Sequence, residues 1–131
     1  MISTKGRYSI RLMLDLAEQN SENPVPLEAI AARQDISKKY LEAIAKTLVT
    51  AKLIKSSSGK NGGYTLTRKP EEYTIYEILK LTEGSLATVS CLEETAEICP
   101  RANKCKTVSM WRGYDEVFRN YFTNITIKDL L

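Results

Sequence analysis

Apolar residues recur every three or four positions as far as Leu48, then alternate after Leu53 on either side of a glycine-rich tip. Few folds place helices first and a single hairpin after them. Thr4 to Gln19 carries Ile10, Met13, Leu14 and Ala17 at helical spacing, with Arg7, Arg11, Asp15 and Glu18 mostly on other faces. This predicts a first amphipathic helix. Asn20 to Pro26, rich in Asn, Ser and Pro, predicts a loop, and Pro26 stands just before a short second helix, Leu27 to Arg33. Gln34-Asp35-Ile36-Ser37 then breaks the pattern, and Ser37 can cap a third helix that buries Leu41, Ile44, Ala45 and Leu48. Two short helices joined by so tight a turn form a helix-turn-helix.

Ile54-Lys55-Ser56-Ser57 and Tyr64-Thr65-Leu66-Thr67 flank Ser58-Gly59-Lys60-Asn61-Gly62-Gly63, which reads as a hairpin and completes the order of a winged helix-turn-helix. Gly62 and Gly63 permit positive φ or close approach of backbone to phosphate. A nucleotide cradle is disfavoured, because neither a phosphate-loop Lys-Ser/Thr pair nor a crossover helix follows. Thr74 and Glu77 have capping-box spacing and open a helix through Ile78, Leu79 and Leu81 that stops at Gly84. Residues 85–106 hold all three cysteines with little periodicity and read as a long loop.

From about Thr107 to Ile125, Val108, Trp111, Tyr114, Phe118, Tyr121 and Ile125 recur at helical intervals. Nineteen residues span about 28 Å, more than a small winged domain covers, so part of this aromatic stripe is expected to meet a second subunit. The expected architecture is mainly α. Residues 1–84 form the winged helix-turn-helix domain with its small β-hairpin wing, 85–106 a cysteine-containing sensor loop, and 107–131 a dimerisation helix and tail.

Charge is segregated along this layout. Residues 1–70 carry twelve Lys or Arg against six Asp or Glu, whereas residues 71–131 carry seven against ten. Between Arg33 and Lys69 there are nine basic side chains and only Asp35 and Glu42 as acids, a density suited to neutralising phosphates. There is no histidine, which removes Ser-His, Cys-His and His-metal chemistry together. No paired acid and base or cofactor fingerprint is present, so an enzyme is not expected. No apolar run approaches about 18 residues, so no membrane span is expected. Residues 1–7 lack the apolar core of a secretory signal, which makes the cytoplasm the expected compartment. Three cysteines cannot all close in intrachain disulfides, and in a reducing compartment metal binding or redox chemistry is the better reading.

Three segments carry a resemblance: Ile2-Ser3-Thr4-Lys5-Gly6-Arg7-Tyr8, Ile36-Ser37-Lys38-Lys39-Tyr40-Leu41-Glu42, and Gly59-Lys60-Asn61-Gly62-Gly63-Tyr64-Thr65-Leu66-Thr67-Arg68. In order and spacing they resemble the Rrf-two family of bacterial winged-helix transcription regulators, whose branches include IscR, NsrR, RirA and CymR. Glu83-Gly84, the cysteine loop and the long helix also fall where that family has them. The resemblance implies a homodimer whose C-terminal helices cross, presenting two winged motifs to a palindromic DNA operator. It implies a recognition helix beginning at Ser37, with Ser37, Lys38, Lys39, Tyr40 and Glu42 near the end that enters a major groove. Lys38 and Lys39 suit phosphate or guanine, and Glu42 suits a cytosine amino group. Tyr40 is open between DNA contact and core packing. Lys60, Asn61 and Arg68 would hold the wing on the backbone or minor groove, and Arg7 would add a phosphate contact.

Cys91, Cys99 and Cys105, spaced C-x7-C-x5-C, look like the cluster loop of the IscR, NsrR and RirA branches; CymR-like members lack it. Thiolate is the ligand iron-sulfur clusters take, which implies a 2Fe-2S or a 4Fe-4S cofactor. The histidine that completes coordination in some members is absent here. Glu93, Glu94, Glu97, Thr107, a residue of the other subunit such as Tyr8, or a small exogenous molecule are the alternatives for the fourth position. The leading expectation is a DNA-binding regulator gated by iron, oxygen or nitric oxide through that cluster. The alternatives are a cluster-free repressor of the CymR kind, controlled by an enzyme partner or thiol oxidation, and a small metal or cluster carrier without DNA affinity.

Overall fold

A computed structural model describes residues 1–131 and contains five helices and one hairpin. They are α1 (Thr4–Gln19), α2 (Leu27–Gln34), α3 (Lys38–Thr50), β1 (Ile54–Ser57), β2 (Gly63–Leu66), α4 (Ile75–Glu83) and α5 (Val108–Thr123). The fold is mainly α, in the order of a winged helix-turn-helix. Local chemistry sets the boundaries. Ser3 caps α1 by accepting from Gly6 N at 3.1 Å, Ser37 caps α3 by accepting from Tyr40 N at 3.2 Å, and Gly84 ends α4. No helix is long and apolar enough to cross a membrane.

The core is built from Leu12, Met13 and Leu16 of α1, Ile30 of α2, Leu41, Ile44 and Leu48 of α3, Ile54 of β1, and Ile78 and Leu79 of α4. The α3 set matches the expected one. The α1 set matches in half: Met13 and Ala17 are buried as expected, but Ile10 and Leu14 are half-buried, while Leu12 and Leu16 take core positions. Asp15, expected on another face, is completely buried. Its carboxylate is tolerated inside because three donors from Arg33 and Gln34 of α2 converge on it.

The hairpin pairs antiparallel from Ile54↔Leu66 to Ser57↔Gly63, and an isolated bridge from Val25 to Tyr64 adds a rung on the outer edge of β2. A Cβ on Gly63 would lie 2.3 Å from the Val25 carbonyl oxygen. The close approach expected of this glycine is therefore to the protein's own backbone rather than to phosphate. Tyr73, fully buried, fastens the base of the wing: its hydroxyl donates to Leu53 O at 2.8 Å and accepts from the amides of Thr67 and Arg68 at 3.0 and 2.8 Å.

Motif residues far apart in sequence meet at the α1–α4 contact. The Ser3 amide and hydroxyl donate to one Glu83 oxygen at 2.9 and 2.8 Å, and a Cβ on Gly6 would lie 2.3 Å from that same oxygen. A side chain at Gly6 would push the Glu83 carboxylate off Ser3. The expected capping box at α4 is half formed. Thr74 accepts from Glu77 N at 3.1 Å, but the Glu77 carboxylate is drawn away to Arg68.

Helix α5 has sixteen residues, about 24 Å, and stops short of the expected Ile125. The chain then turns back on α4: Ile75 N donates to Ile125 O at 2.8 Å, Ile127 N to Tyr73 O at 3.0 Å, and the Ile127 side chain is fully buried. The single aromatic stripe expected on this helix divides in two. Trp111, Phe118 and Phe122 are half-buried, with Phe122 and Ile125 packed on the core. Met110, Tyr114, Val117 and Tyr121 form a second row at intervals of four, three and four residues, 56–69% exposed, with the Tyr121 ring edge-on to Phe122 at 5.0 Å.

Candidate nucleic-acid interface and cysteine loop

The first turn of α3 presents Ser37, Lys38, Lys39, Tyr40 and Glu42, all exposed. Ser37 spends its hydroxyl oxygen as the helix cap. Lys38 forms an ion pair with Glu28 on the first turn of α2. Their hydrogen bond raises the Lys38 pKa and lowers that of Glu28 from ordinary values. Lys39 enters no ion pair, so it is the unencumbered cation of this turn. Glu28, Lys38 and Glu42 share a shallow cleft with Ser56–Gly59 and Gly62–Tyr64, which brings the start of α3 and the wing to one face.

Tyr40 both packs and projects. It is 39% exposed, and its ring meets the Tyr8 ring edge-on at 5.5 Å. The Arg11 guanidinium lies 5.2 Å from the centre of the Tyr8 ring. Arg11 also donates to Gln34 Oε1 at 3.1 Å and to the Gln34 carbonyl at the end of α2. The Gln34 amide donates in turn to Asp15 Oδ2 at 2.9 Å, and Arg33 grips Asp15 with two bonds of 3.0 and 2.7 Å. That bonding raises the Arg33 pKa. Sequence periodicity alone missed this network. A carboxylate embedded in Leu12-Met13-Leu14-Asp15-Leu16-Ala17 was its one available signal.

At the wing, Lys60 and Asn61 are exposed at the tip. Arg68 lies lower, with a two-pronged bond to Glu77 at 2.9 and 3.0 Å and its guanidinium 5.2 Å from the Tyr73 ring centre. The Glu77 hydrogen bond raises its pKa. Arg7, exposed on α1, donates to Thr4 Oγ1 at 3.3 Å.

In the loop after α4, Cys91 is exposed in a short 3-10 turn, Ser90–Leu92, and Cys99 and Cys105 are partly exposed. No three Cys, Asp or Glu side chains stand together in a metal-holding group, so the structure does not gather the three thiols. The loop's first arm is docked: Glu94 pairs with Lys80 at 2.6 Å, and Thr88 N donates to an Asp115 oxygen at 2.9 Å. Glu94, one of the alternatives for a fourth ligand, is thus engaged with α4, while Glu93 and Glu97 are exposed. Tyr8, another alternative, packs on Tyr40. Cys105 Sγ lies 3.5 Å from Thr107 Oγ1, and hydrogen bonding from Thr107 holds this thiol below the usual range.

A family model described as an iron-dependent transcriptional regulator, Rrf2, matches residues 2–131. The chain is similar to protein rrf2 of Nitratidesulfovibrio vulgaris, 36% identical over 130 residues that cover 99% of this chain and 86% of that protein. Its fold is similar to CymR, the global cysteine regulator of B. subtilis, with a TM-score of 0.79 and 32% identity, covering 99% of this chain and 95% of that one. It is also similar to IscR of T. potens, with a TM-score of 0.77 and 32% identity, covering 99% and 85% of the two chains. A carrier without DNA affinity does not match these relatives. The exposed first turn of α3, the wing beside it and a family match over nearly every residue agree: the chain belongs to the Rrf2 family of winged-helix transcriptional regulators, DNA-binding proteins rather than enzymes.

Proposed function

We propose that two copies of this chain pair through α5 and bind a palindromic duplex operator in the cytoplasm, one winged motif per half-site. The observation that carries this reading is the exposed row Met110, Tyr114, Val117 and Tyr121, which leaves one face of α5 open to solvent while the exposed first turn of α3 lies elsewhere. Pairing sets the separation of the two α3 helices, which must approach about 34–36 Å to enter successive major grooves. Ser37, Lys38, Lys39, Tyr40 and Glu42 face the base edges and adjoining phosphates. Lys60 and Asn61 reach the backbone or minor groove from the wing, Arg7 adds a phosphate contact from α1, and Arg68, held by Glu77, steadies the wing base against the duplex.

Replacing Lys38 and Lys39 together with alanine lowers operator affinity and flattens its salt dependence. The two residues contribute unequally. Lys39→Ala alone reduces the slope of log K against log salt by about 1.8 per dimer, from one phosphate contact per subunit. Lys38→Ala reduces it less, because Lys38 abandons Glu28 on binding and that carboxylate then gathers a counterion. Unchanged operator binding across a salt series in the double variant overturns the assignment.

The loop's donor set fits an iron-sulfur cluster by chemistry, since three thiols on one irregular segment are ligands of the right softness. Cys91, Cys99 and Cys105 would hold it. When bound, a cluster supplies a removable cross-link between loop and dimer helix, sensitive to iron supply, oxygen and nitric oxide. The chain's own part is to keep the start of the loop docked through Lys80–Glu94 and Thr88–Asp115. Anaerobic purification should give protein with visible absorbance and stoichiometric iron and sulfide. Changing the three cysteines to alanine removes both the colour and the response of operator binding to iron chelation, with secondary structure unchanged; a variant that still responds refutes the gating.

A second reading is favoured by the separation of the three thiols and the lowered Cys105 pKa. It is a cluster-free repressor, similar to CymR, governed by thiol oxidation or an enzyme partner. Colourless anaerobic protein whose operator binding changes on treatment with peroxide would establish it.

A further inference from the structure

We infer that Arg11 is a positioning residue for sequence reading: without touching DNA, it fixes the pose of the first turn of α3 by clamping Tyr8 against Tyr40. The inference rests on the reading of α3 as the recognition helix. Tyr40 is on the turn that presents Lys38, Lys39 and Glu42, and the Tyr8 ring is its aromatic neighbour, at 5.5 Å with an interplanar angle of 77°. Tyr8 sits on α1, so its side chain alone is a soft support. Arg11, one helical turn further along, stacks over the Tyr8 ring at 5.2 Å.

What holds Arg11 is the turn of the helix-turn-helix itself. Its guanidinium bonds both the Gln34 carbonyl and Gln34 Oε1, at the last residue of α2. The orientation of the Gln34 amide follows from its neighbours: a cation requires the oxygen on one side, and the Asp15 carboxylate requires the nitrogen on the other. Asp15 is fully buried and gripped by Arg33, so this end of the chain of contacts is fixed in the core. The links then run Asp15, Gln34, Arg11, Tyr8, Tyr40, from the interior to the reading surface. A planar fork is needed at the third link, because one group must bond a carbonyl and an amide oxygen in its plane while stacking a ring on its face. Lysine cannot do this.

The test separates pose from charge. Arg11→Lys keeps the positive charge and loses the fork. Binding of the full-length protein is measured on an operator duplex and on a scrambled duplex of equal length, across a salt series. Arg11→Lys should lower the ratio of specific to non-specific affinity about tenfold, with non-specific affinity and salt slope unchanged. Tyr8→Phe should preserve the ratio, because the ring edge suffices, and Tyr8→Leu should reproduce the Arg11→Lys loss. A ratio unchanged in Arg11→Lys overturns the inference. So does a salt slope lowered by about one unit per subunit, which would make Arg11 itself a phosphate contact.

A second readout is independent of DNA. The ring-current shifts that Tyr8 imposes on Tyr40 in the NMR spectrum of the free protein should collapse in Arg11→Lys while the core methyl shifts of Leu12 and Ile44 stay in place. Retention of the Tyr40 shifts also overturns the inference. Failure of the wild-type protein to bind any operator, with the Tyr40 shifts behaving as described, would instead count against the recognition-helix reading.

Discussion

Val117→Glu combined with Tyr121→Glu should convert the protein to a monomer and lower operator affinity at least about 100-fold. Both side chains lie on the exposed row of α5, 69% and 62% exposed within the subunit, and the replacement gives up the edge contact of Tyr121 with Phe122 but no buried side chain, so the fold of one chain should survive. Brought against a second copy, two carboxylates per helix would be desolvated beside their symmetry mates, a cost that exposed apolar contacts cannot offset. Loss of pairing then removes the effective concentration that links the two half-sites, a factor of about 10²–10⁴. Sedimentation gives the oligomeric state and a half-site duplex gives the internal control. Monomers that hold their half-site affinity and lose only the palindrome locate the defect in assembly. A double variant that stays dimeric would move the interface off this face.

Arg33→Ala should cost about 3 kcal/mol, lowering Tm by about 10 °C, although Arg33 stands at the surface with 38% of its side chain exposed. The reason lies one residue inward. Asp15 is fully buried, and without Arg33 only the Gln34 amide still donates to its carboxylate. Asp15→Asn alone should cost less, about 1–2 kcal/mol, because a neutral amide needs no counter-charge and Arg33 is free to turn toward water. Combining Asp15→Asn with Arg33→Ala should recover part of the Arg33→Ala loss, since no buried charge is then left alone. Additive losses in urea or thermal unfolding would show that the pair does not act as a unit.

The elements that sequence reading placed well are those whose signals are local. The Ser37 cap, the α3 apolar set, the hairpin and the stop at Gly84 each depend on a few neighbouring residues and a fixed period. The misplacements share a different cause. Asp15 reads as a polar-face residue because its type suggests water, whereas its fate is decided by Arg33 and Gln34, eighteen and nineteen positions later. Glu77 has the right spacing to complete a cap, but Arg68 offers a charged fork and wins the carboxylate. The long apolar stripe of α5 reads as one face in sequence because aromatic residues on adjacent faces are indistinguishable until α4 and the returning tail cover one of them. Within the candidate interface, the exposed cations were legible from composition. Their inequality was not, since the pairing of Lys38 with Glu28 depends on how α2 and α3 cross.

Tyr73 joins two parts of the molecule that otherwise have little in common. Its carbonyl receives the Ile127 amide from the segment that follows α5, and its hydroxyl holds the amides of Thr67 and Arg68 at the root of the hairpin. Backbone and side chain of one residue thus form a fulcrum, with the far helix as the long lever arm and the hairpin as the short one. The returning tail and the hairpin root are tied to one buried residue, so a displacement of either bears on the hydrogen bonds that hold the other.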